Sequence, residues 1–389
     1  MAYRKFSADR IFDGTRFRDA GTVLITDELG KIEDIVSGTE AVDDVERLSG
    51  TLLPGLINAH CHLELSHLKD VIPPHTGLIE FLVSVVQKRG FSREVIDEAI
   101  LRAEAEMQGN GIVAVGDIGN TADTVFCKSK SSIRWQNFIE VLSFTDESTP
   151  TNLKHYQSVL DTYQAELDPG RHRSVLVPHA PYSISPSAFR ELNRLGAGQV
   201  MSIHNQEHPA EDELYRSGGG EYLKLFRIFG IDSSPFPVTG KTSLRSYLPH
   251  FDEKQTLFLV HNTFMPKEDL DFALEHATAH GMELVICICI NANLYIENKV
   301  PPIGQFLDKG CRIVMGTDSY SSNWQLSIGS EIASVRQHFP GIPEETVLHW
   351  ATLSGAKALR WDDQLGSFEK GKKPGLVVLD QAYRSSRLI

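Results

Sequence analysis

Three histidines crowd the stretch PGLINAHCHLELSHLKD, residues 54–70, and His60 and His62 stand two apart at the end of an apolar run. In a strand, positions two apart point the same way. The two imidazoles can therefore grip one ion while Cys61 faces the opposite side. Later apolar runs end in the same kind of residue: His179 in VPHAPYS, His204 in SIHNQE, His261 in LVHNTF and Asp318 in MGTDSYSSN, with Asp117 closing another. Imidazole nitrogen and carboxylate oxygen suit zinc, or iron or manganese as other first-row divalent ions. His60, His62, His204 and Asp318 together offer three nitrogens and one oxygen and leave a position for water. A bound zinc ion brings the pKa of such a water to about 7. Glu207, three residues after His204, is placed to shuttle protons. His261 can hold the attacking oxygen, and His179 can meet a substrate.

Each residue alone has an ordinary explanation. A lone His at a run end is commonly a hydrogen-bonded core or surface residue, Asp318 could form a turn, and Glu207 could be solvated at a helix start beside Glu211, Asp212 and Glu213. The joint pattern is what points to one metal site: five of the chain's fifteen histidines close apolar runs.

The elements that must position these residues follow from periodicity. Apolar runs fall at 56–59, 112–115, 138–142, 174–177, 200–203, 256–260, 283–289 and 312–316. Between them lie segments with helical spacing, such as REVIDEAILRAEAEMQ, and KEDLDFALEHATAHG, which ends in Gly. Short strands alternating with helices imply parallel pairing, and eight of them imply a (β/α)8 TIM barrel whose catalytic face is the carboxyl end of the strands. Residues 143–167 read as loop then helix. The first fifty residues alternate differently, with a hairpin around Glu28–Leu29–Gly30, and residues 376–379 form an apolar run after a basic Gly-rich turn. Both termini are expected to build one small β domain. The expected division is 1–54 and 361–389 for that domain and 55–360 for the barrel.

The net charge of -13 across 389 residues argues against nucleic acid or an anionic membrane as partner. Five cysteines without a short-spaced framework read as reduced thiols in the cytoplasm. No run approaches 18 uninterrupted apolar residues. The expected partner is a small molecule, and a barrel of this size with a side domain leaves room for a homodimer.

The motifs LLPGLINAHCHLE, VPHAPYSIS, MSIHNQEHPAEDE, LVHNTF, NANLYIE and MGTDSYSSN resemble those of the metal-dependent amidohydrolase superfamily, in particular its nucleoside and nucleobase deaminases. The resemblance spans nearly the whole chain and implies a TIM barrel with a small β-sandwich from both termini. It also implies one divalent ion on His60, His62, His204 and Asp318, with Glu207 as proton shuttle and His261 and Asp318 assisting. In binuclear relatives the fourth strand supplies a modified lysine. Here that strand ends in Pro178–His179, where His179 would contact the substrate ring. NAHCHLELS and the segment after His204 look most like aminodeoxyfutalosine deaminases, with S-adenosylhomocysteine and methylthioadenosine deaminases close behind. The implied reaction is hydrolytic release of ammonia from an adenine nucleoside, with Glu64 a candidate for its ribose or for an ion pair with a nearby base. A substrate carboxylate would need a cation, for which Lys88, Arg89 and Arg245 are available. Ile290 stands where relatives usually carry Pro, which leaves contacts from Asn291 or Asn293 open. Cys287 and Cys289 read as a buried strand face. Hydrolysis of a C–N or C–Cl bond in another heterocycle, or a metal-free scaffold, are the competing readings.

Overall fold

The computed structural model describes residues 3–38 and 43–389. Its strands are β1 (Tyr3–Ile11), β2 (Val23–Asp27), β3 (Ile32–Val36), β4 (Val45–Pro54), β5 (Leu56–Cys61), β6 (Ile112–Gly119), β7 (Arg134–Val141), β8 (His172–Pro178), β9 (Val200–Asn205), β10 (Thr256–His261), β11 (Glu283–Ile288), β12 (Arg312–Met315), β13 (Leu376–Leu379) and β14 (Ser385–Arg387). All eight sequence-predicted barrel strands form, as β5–β12. They run parallel in two half-sheets, β5-β6-β7-β8 and β12-β11-β10-β9. Every residue of β5, β9 and β10 is buried, as parallel strands covered on both faces require.

The half-sheets meet through few bonds, placed at the carboxyl ends. The amide of His204 donates to the carbonyl of His179 at 3.0 Å, and the amides of Thr317 and Asp318 both donate to the carbonyl of His60 at 3.0 Å. The Asn58 side chain reinforces the second seam, bonding Thr317 Oγ1 at 2.8 Å and accepting the Thr317 amide at 3.0 Å. Gly316 allows the approach: a Cβ there would lie 2.7 Å from the Cβ of His60 and 2.9 Å from its carbonyl oxygen. Phe138 on β7 and Phe258 on β10, strands that are not neighbours, meet inside the barrel with ring centroids 6.1 Å apart. The interior is thus filled by side chains rather than hollow.

The termini do come together. β1–β4, β13 and β14 form one six-stranded sheet in the order β14-β13-β4-β1-β2-β3, with the expected hairpin as β2 and β3. Among the described residues the six strands of the expected small β domain are hydrogen-bonded as one sheet. β13 pairs antiparallel with β4, Leu376 opposite Pro54, and both chain ends share a core of Phe6, Leu24, Ile32, Leu52, Phe368 and Leu376. A third apolar cluster lies apart from both cores. It joins the helix Leu78–Lys88 to the helix Tyr222–Ile228 through Leu78, Phe81, Tyr182, Tyr222, Leu225 and Phe226.

A buried ion pair ties the metal-motif loop to β6. Lys128 Nζ lies 2.5 Å from Asp117 Oδ2 and 2.8 Å from Asn137 Oδ1, while Asp117 Oδ1 accepts the amide of Leu63, the residue after His62, at 2.8 Å. Burial disfavours the ammonium, but Asp117 outweighs it and holds Lys128 above its ordinary value. Removing one partner of such a pair leaves the other charge uncompensated. Lys128→Met is therefore expected to lower unfolding stability by about 3–5 kcal/mol in denaturant titrations, with Asp117→Asn added to it restoring part of the loss. A loss below about 1 kcal/mol for Lys128→Met would contradict this reading.

Candidate active site

β5, β9, β10 and the turn after β12 deliver the histidines and the aspartate to one point. His60 Nε2 lies 3.5 Å and His62 Nε2 3.4 Å from Asp318 Oδ1, and His62 Nε2 stands 3.3 Å from His204 Nε2. Donors bonded to one zinc ion at about 2.0–2.1 Å in a tetrahedron stand roughly 3.3–3.4 Å apart, close to these three separations; these donors, with His261, fall into two overlapping groups near enough to share an ion, His60–His62–Asp318 and His60–His204–His261. His60 is fully buried, and neither ring nitrogen has a hydrogen-bond partner, a costly arrangement that a cation on the ring relieves. His204 Nδ1 donates to the carbonyl of His179 at 2.8 Å, which leaves its Nε2 lone pair facing the cluster.

The electrostatics suit a cation. Burial lowers His62 and His204 to about 4, with neighbouring imidazoles adding to the effect, and lowers His60 as well. All three are neutral at pH 7. Burial alone would raise the Asp318 carboxyl, but the hydrogen bond from His60 and the nearby imidazoles of His62 and His261 hold it well below the usual range. Ser322 Oγ also donates to Asp318 Oδ2 at 2.5 Å. Asp318 and His261 sit at φ 58° and 70°, a left-handed conformation that few non-glycine residues adopt and that recurs at functional sites.

Glu207 and His261 complete the deep end. Glu207 Oε1 lies 3.6 Å from His261 Nε2. Burial first, then the charges of Asp318, Glu211 and Glu297, push the Glu207 carboxyl well above the usual carboxylate range. Its approach is fixed by Gln206, at φ 42°, whose amide donates to Glu211 Oε1 at 2.7 Å and whose side chain donates to Asp269 at 2.7 Å. Asn293 Nδ2 donates to His261 Nδ1 at 3.3 Å, putting the ring proton on Nε2, toward Glu207. Asn291 instead braces the helix Ile290–Glu297 against Glu331 and Ser330, and that helix starts directly at Ile290.

One cavity of about 910 Å³, counting its open mouth, joins His62, His204, Glu207, His261 and Asp318 to the surface. His179 lines it, with Nδ1 on Ser183 Oγ at 2.8 Å. Glu64 lines it too, but Oε2 is already occupied by the amides of Asn120 and Thr121 and the Thr121 hydroxyl, at 3.1, 3.2 and 2.9 Å. No ion pair to Glu64 forms within 4 Å among the described residues. Of the three cations considered, only Arg89 lines the cavity. Lys88 bonds the carbonyl of Val71, and Arg245 holds Asp269 at 2.6 Å.

Sequence reasoning missed Glu140. It projects from the end of β7 into the cavity, with Oε1 unbonded, 3.8 Å from His179 Nε2 and 3.7 Å from His204 Nδ1. Burial first and Glu64 second raise its carboxyl well above the usual range. The available signal was a glutamate inside the apolar run FIEVL, a costly place for a carboxyl without a task.

Substitutions separate ligands from bystanders. His204→Ala and Asp318→Ala are each expected to lower metal content measured by plasma emission, whereas Cys61→Ser, whose thiol is buried on the far side, leaves it near normal; full occupancy in both ligand variants would contradict the set. Because His62 and His204 titrate near 4 rather than at the ordinary 6.5, protons begin to compete for their lone pairs only as the pH falls toward 4. The loaded protein should retain its ion at pH 5.5 after desalting and release it toward pH 4. Release already complete at pH 6 would mean ordinary, exposed imidazoles.

The model of the amidohydrolase family matches residues 51–387. The chain is 24% identical to the 5-methylthioadenosine/S-adenosylhomocysteine deaminase of Thermoanaerobacter pseudethanolicus, over 90% of this chain and 78% of that one. It is 26% identical to the aminodeoxyfutalosine deaminase of Nitratiruptor sp., over 88% and 85%. The fold superposes on the Helicobacter pylori aminofutalosine deaminase crystallised with methylthio-coformycin at a TM-score of 0.79, with 22% identity, covering 97% of this chain and 92% of that one. Sequence and fold agree across nearly the whole length: the chain belongs to the amidohydrolase family.

Proposed function

We propose that the chain is a metal-dependent hydrolase that removes the exocyclic amino group of an adenine nucleoside derivative as ammonia, with aminodeoxyfutalosine the foremost candidate. The observation that carries this reading is the buried Glu207 carboxyl, 4% exposed, opening on the same cavity as the four-donor cluster and 3.6 Å from His261. His60, His62, His204 and Asp318 would hold one divalent ion, zinc by the chemistry of three imidazoles and a carboxylate. Once bound, the ion supplies acidified water at neutral pH.

The chain's own residues do the rest. Glu207 takes a proton from the attacking water and delivers it to the ring nitrogen beside the amidine carbon, cancelling the charge that would develop there. His261, with its proton on Nε2, donates to the attacking oxygen and keeps it aimed. Asp318, held ionised, assists as the amino group takes up its proton and departs as ammonia. His179 and Glu140 face the heterocycle and its sugar from the β7–β8 side. Relatives named for methylthioadenosine, S-adenosylhomocysteine and aminodeoxyfutalosine support an adenine nucleoside as the substrate class. All five cysteines are free, in keeping with a reducing, cytoplasmic setting, and no helix among the described residues is long and apolar enough to cross a membrane.

Ammonia release by the zinc-loaded protein tests this directly, with aminodeoxyfutalosine, S-adenosylhomocysteine, methylthioadenosine and adenosine run in parallel. Turnover of at least one is expected, and Glu207→Gln should retain metal while losing roughly 10²–10⁴-fold in kcat. A Glu207→Gln enzyme with full activity would remove the shuttle. No ammonia from any of the four, with metal bound, would turn the search to other heterocycles bearing a hydrolysable C–N or C–Cl bond.

A further inference from the structure

The cavity has two chemically different ends. The deep end carries the histidines and carboxyls. Toward the mouth the wall is apolar: Phe81, Leu82 and Val85 come from the helix Leu78–Lys88, Leu225 from the helix Tyr222–Ile228, and Phe144 and Phe229 from loops. Arg89 is the sole Lys or Arg among the residues lining it.

Arg89 is held at its backbone and unbonded at its head. It caps the helix Leu78–Lys88, its amide donating to the carbonyl of Val85 at 3.1 Å, while its own carbonyl accepts His67 Nε2 at 3.1 Å. The guanidinium makes no hydrogen bond or ion pair with any described residue. Burial raises the carboxyls of Glu64 and Glu140, and the Arg89 charge, felt through space, offsets part of that rise in each. Other arginines of the chain do find carboxylates: Arg93, Arg194, Arg245, Arg312 and Arg384 all pair within 3.0 Å. A guanidinium presents five donors in a planar fork matched to a carboxylate. One left unbonded beside an apolar wall is a receptor for an anion that arrives with apolar surface attached.

Resting on the deaminase reading above, we infer that Arg89 determines specificity by binding a carboxylate at the end of an apolar 5′ arm of the nucleoside. With the purine at Glu207 and His261, the arm runs along Phe81, Val85 and Phe144 toward Arg89. A bare 5′-hydroxyl would leave that wall uncovered. An amino-acid arm would set an ammonium beside the guanidinium and against hydrocarbon, and a short neutral arm would leave Arg89 unused. An aryl or alkyl carboxylate satisfies both features.

The test uses a matched pair: 5′-deoxy-5′-(carboxyphenylthio)adenosine and its methyl ester, assayed with zinc-loaded wild type, Arg89→Met and Arg89→Lys. In wild type the acid should be favoured over the ester by about 10- to 100-fold in kcat/KM, the size of a charge-assisted hydrogen-bonded pair. In Arg89→Met that ratio should fall toward one through a rise in KM for the acid, and Arg89→Lys should recover part of it. An acid-to-ester ratio near one in wild type, or an unchanged ratio in Arg89→Met, overturns the assignment. So does a parallel change for both compounds with a displaced pH profile, which would mean that Arg89 only offsets Glu64 and Glu140. If neither compound yields ammonia, the deaminase reading falls separately, and calorimetry decides the subsite: acid binding that exceeds ester binding in wild type but not in Arg89→Met supports it, and equal binding overturns it.

Discussion

The peptide oxygen of His60 takes hydrogen bonds from two successive amides, those of Thr317 and Asp318, each at 3.0 Å. Two neighbouring amides can point at one oxygen only where the chain turns out of its extended form, and Asp318 makes that turn at φ 58°. This one contact closes the barrel between its last and first strands and sets the Asp318 carboxylate 3.5 Å from the imidazole of His60. Asn58 and Thr317 lock the seam below it, and Gly316 leaves room for the approach. The candidate metal donors are therefore brought together by barrel closure. No single segment could assemble them.

Burial then gives the assembled groups their character. Removed from water, His62 and His204 stay neutral, Asp318 stays ionised through its imidazole neighbours, and the Glu207 carboxyl holds a proton more readily than an exposed one. The same desolvation that would destabilise an isolated charge produces a cation receptor with a proton carrier beside it. The helices Leu78–Lys88 and Tyr222–Ile228, joined by their own apolar cluster, supply the apolar wall of the cavity, with Arg89 at the end of the first.

Much of this was legible in the sequence because barrel strands are short, buried and end where chemistry is done. The run ends at His60, His62, His179, His204, His261 and Asp318 all reach one cavity or the cluster behind it. Pairing over long separations was not legible: nothing in the apolar pattern of residues 376–379 says that they lie against β4 and make one sheet with it. β7 begins four residues before its apolar run, because Gln136 and Asn137 are buried polar residues, and Asn137 serves Lys128. Glu140 was hidden for the opposite reason, being one polar residue inside an apolar run. Lys88 and Arg89 are neighbours that only the helix end separates, one turned to the carbonyl of Val71 and the other lining the cavity.

On the reading proposed above, four donors from three strand ends share one ion. Crystals grown with zinc and measured on both sides of the zinc absorption edge test it most directly. A single anomalous peak per chain is expected, within bonding distance of His60, His62 and His204 Nε2 and of Asp318 Oδ1. A peak between Glu140 and His179, whose donors also lie close enough to His204 to hold an ion, or two peaks of equal height, would contradict it.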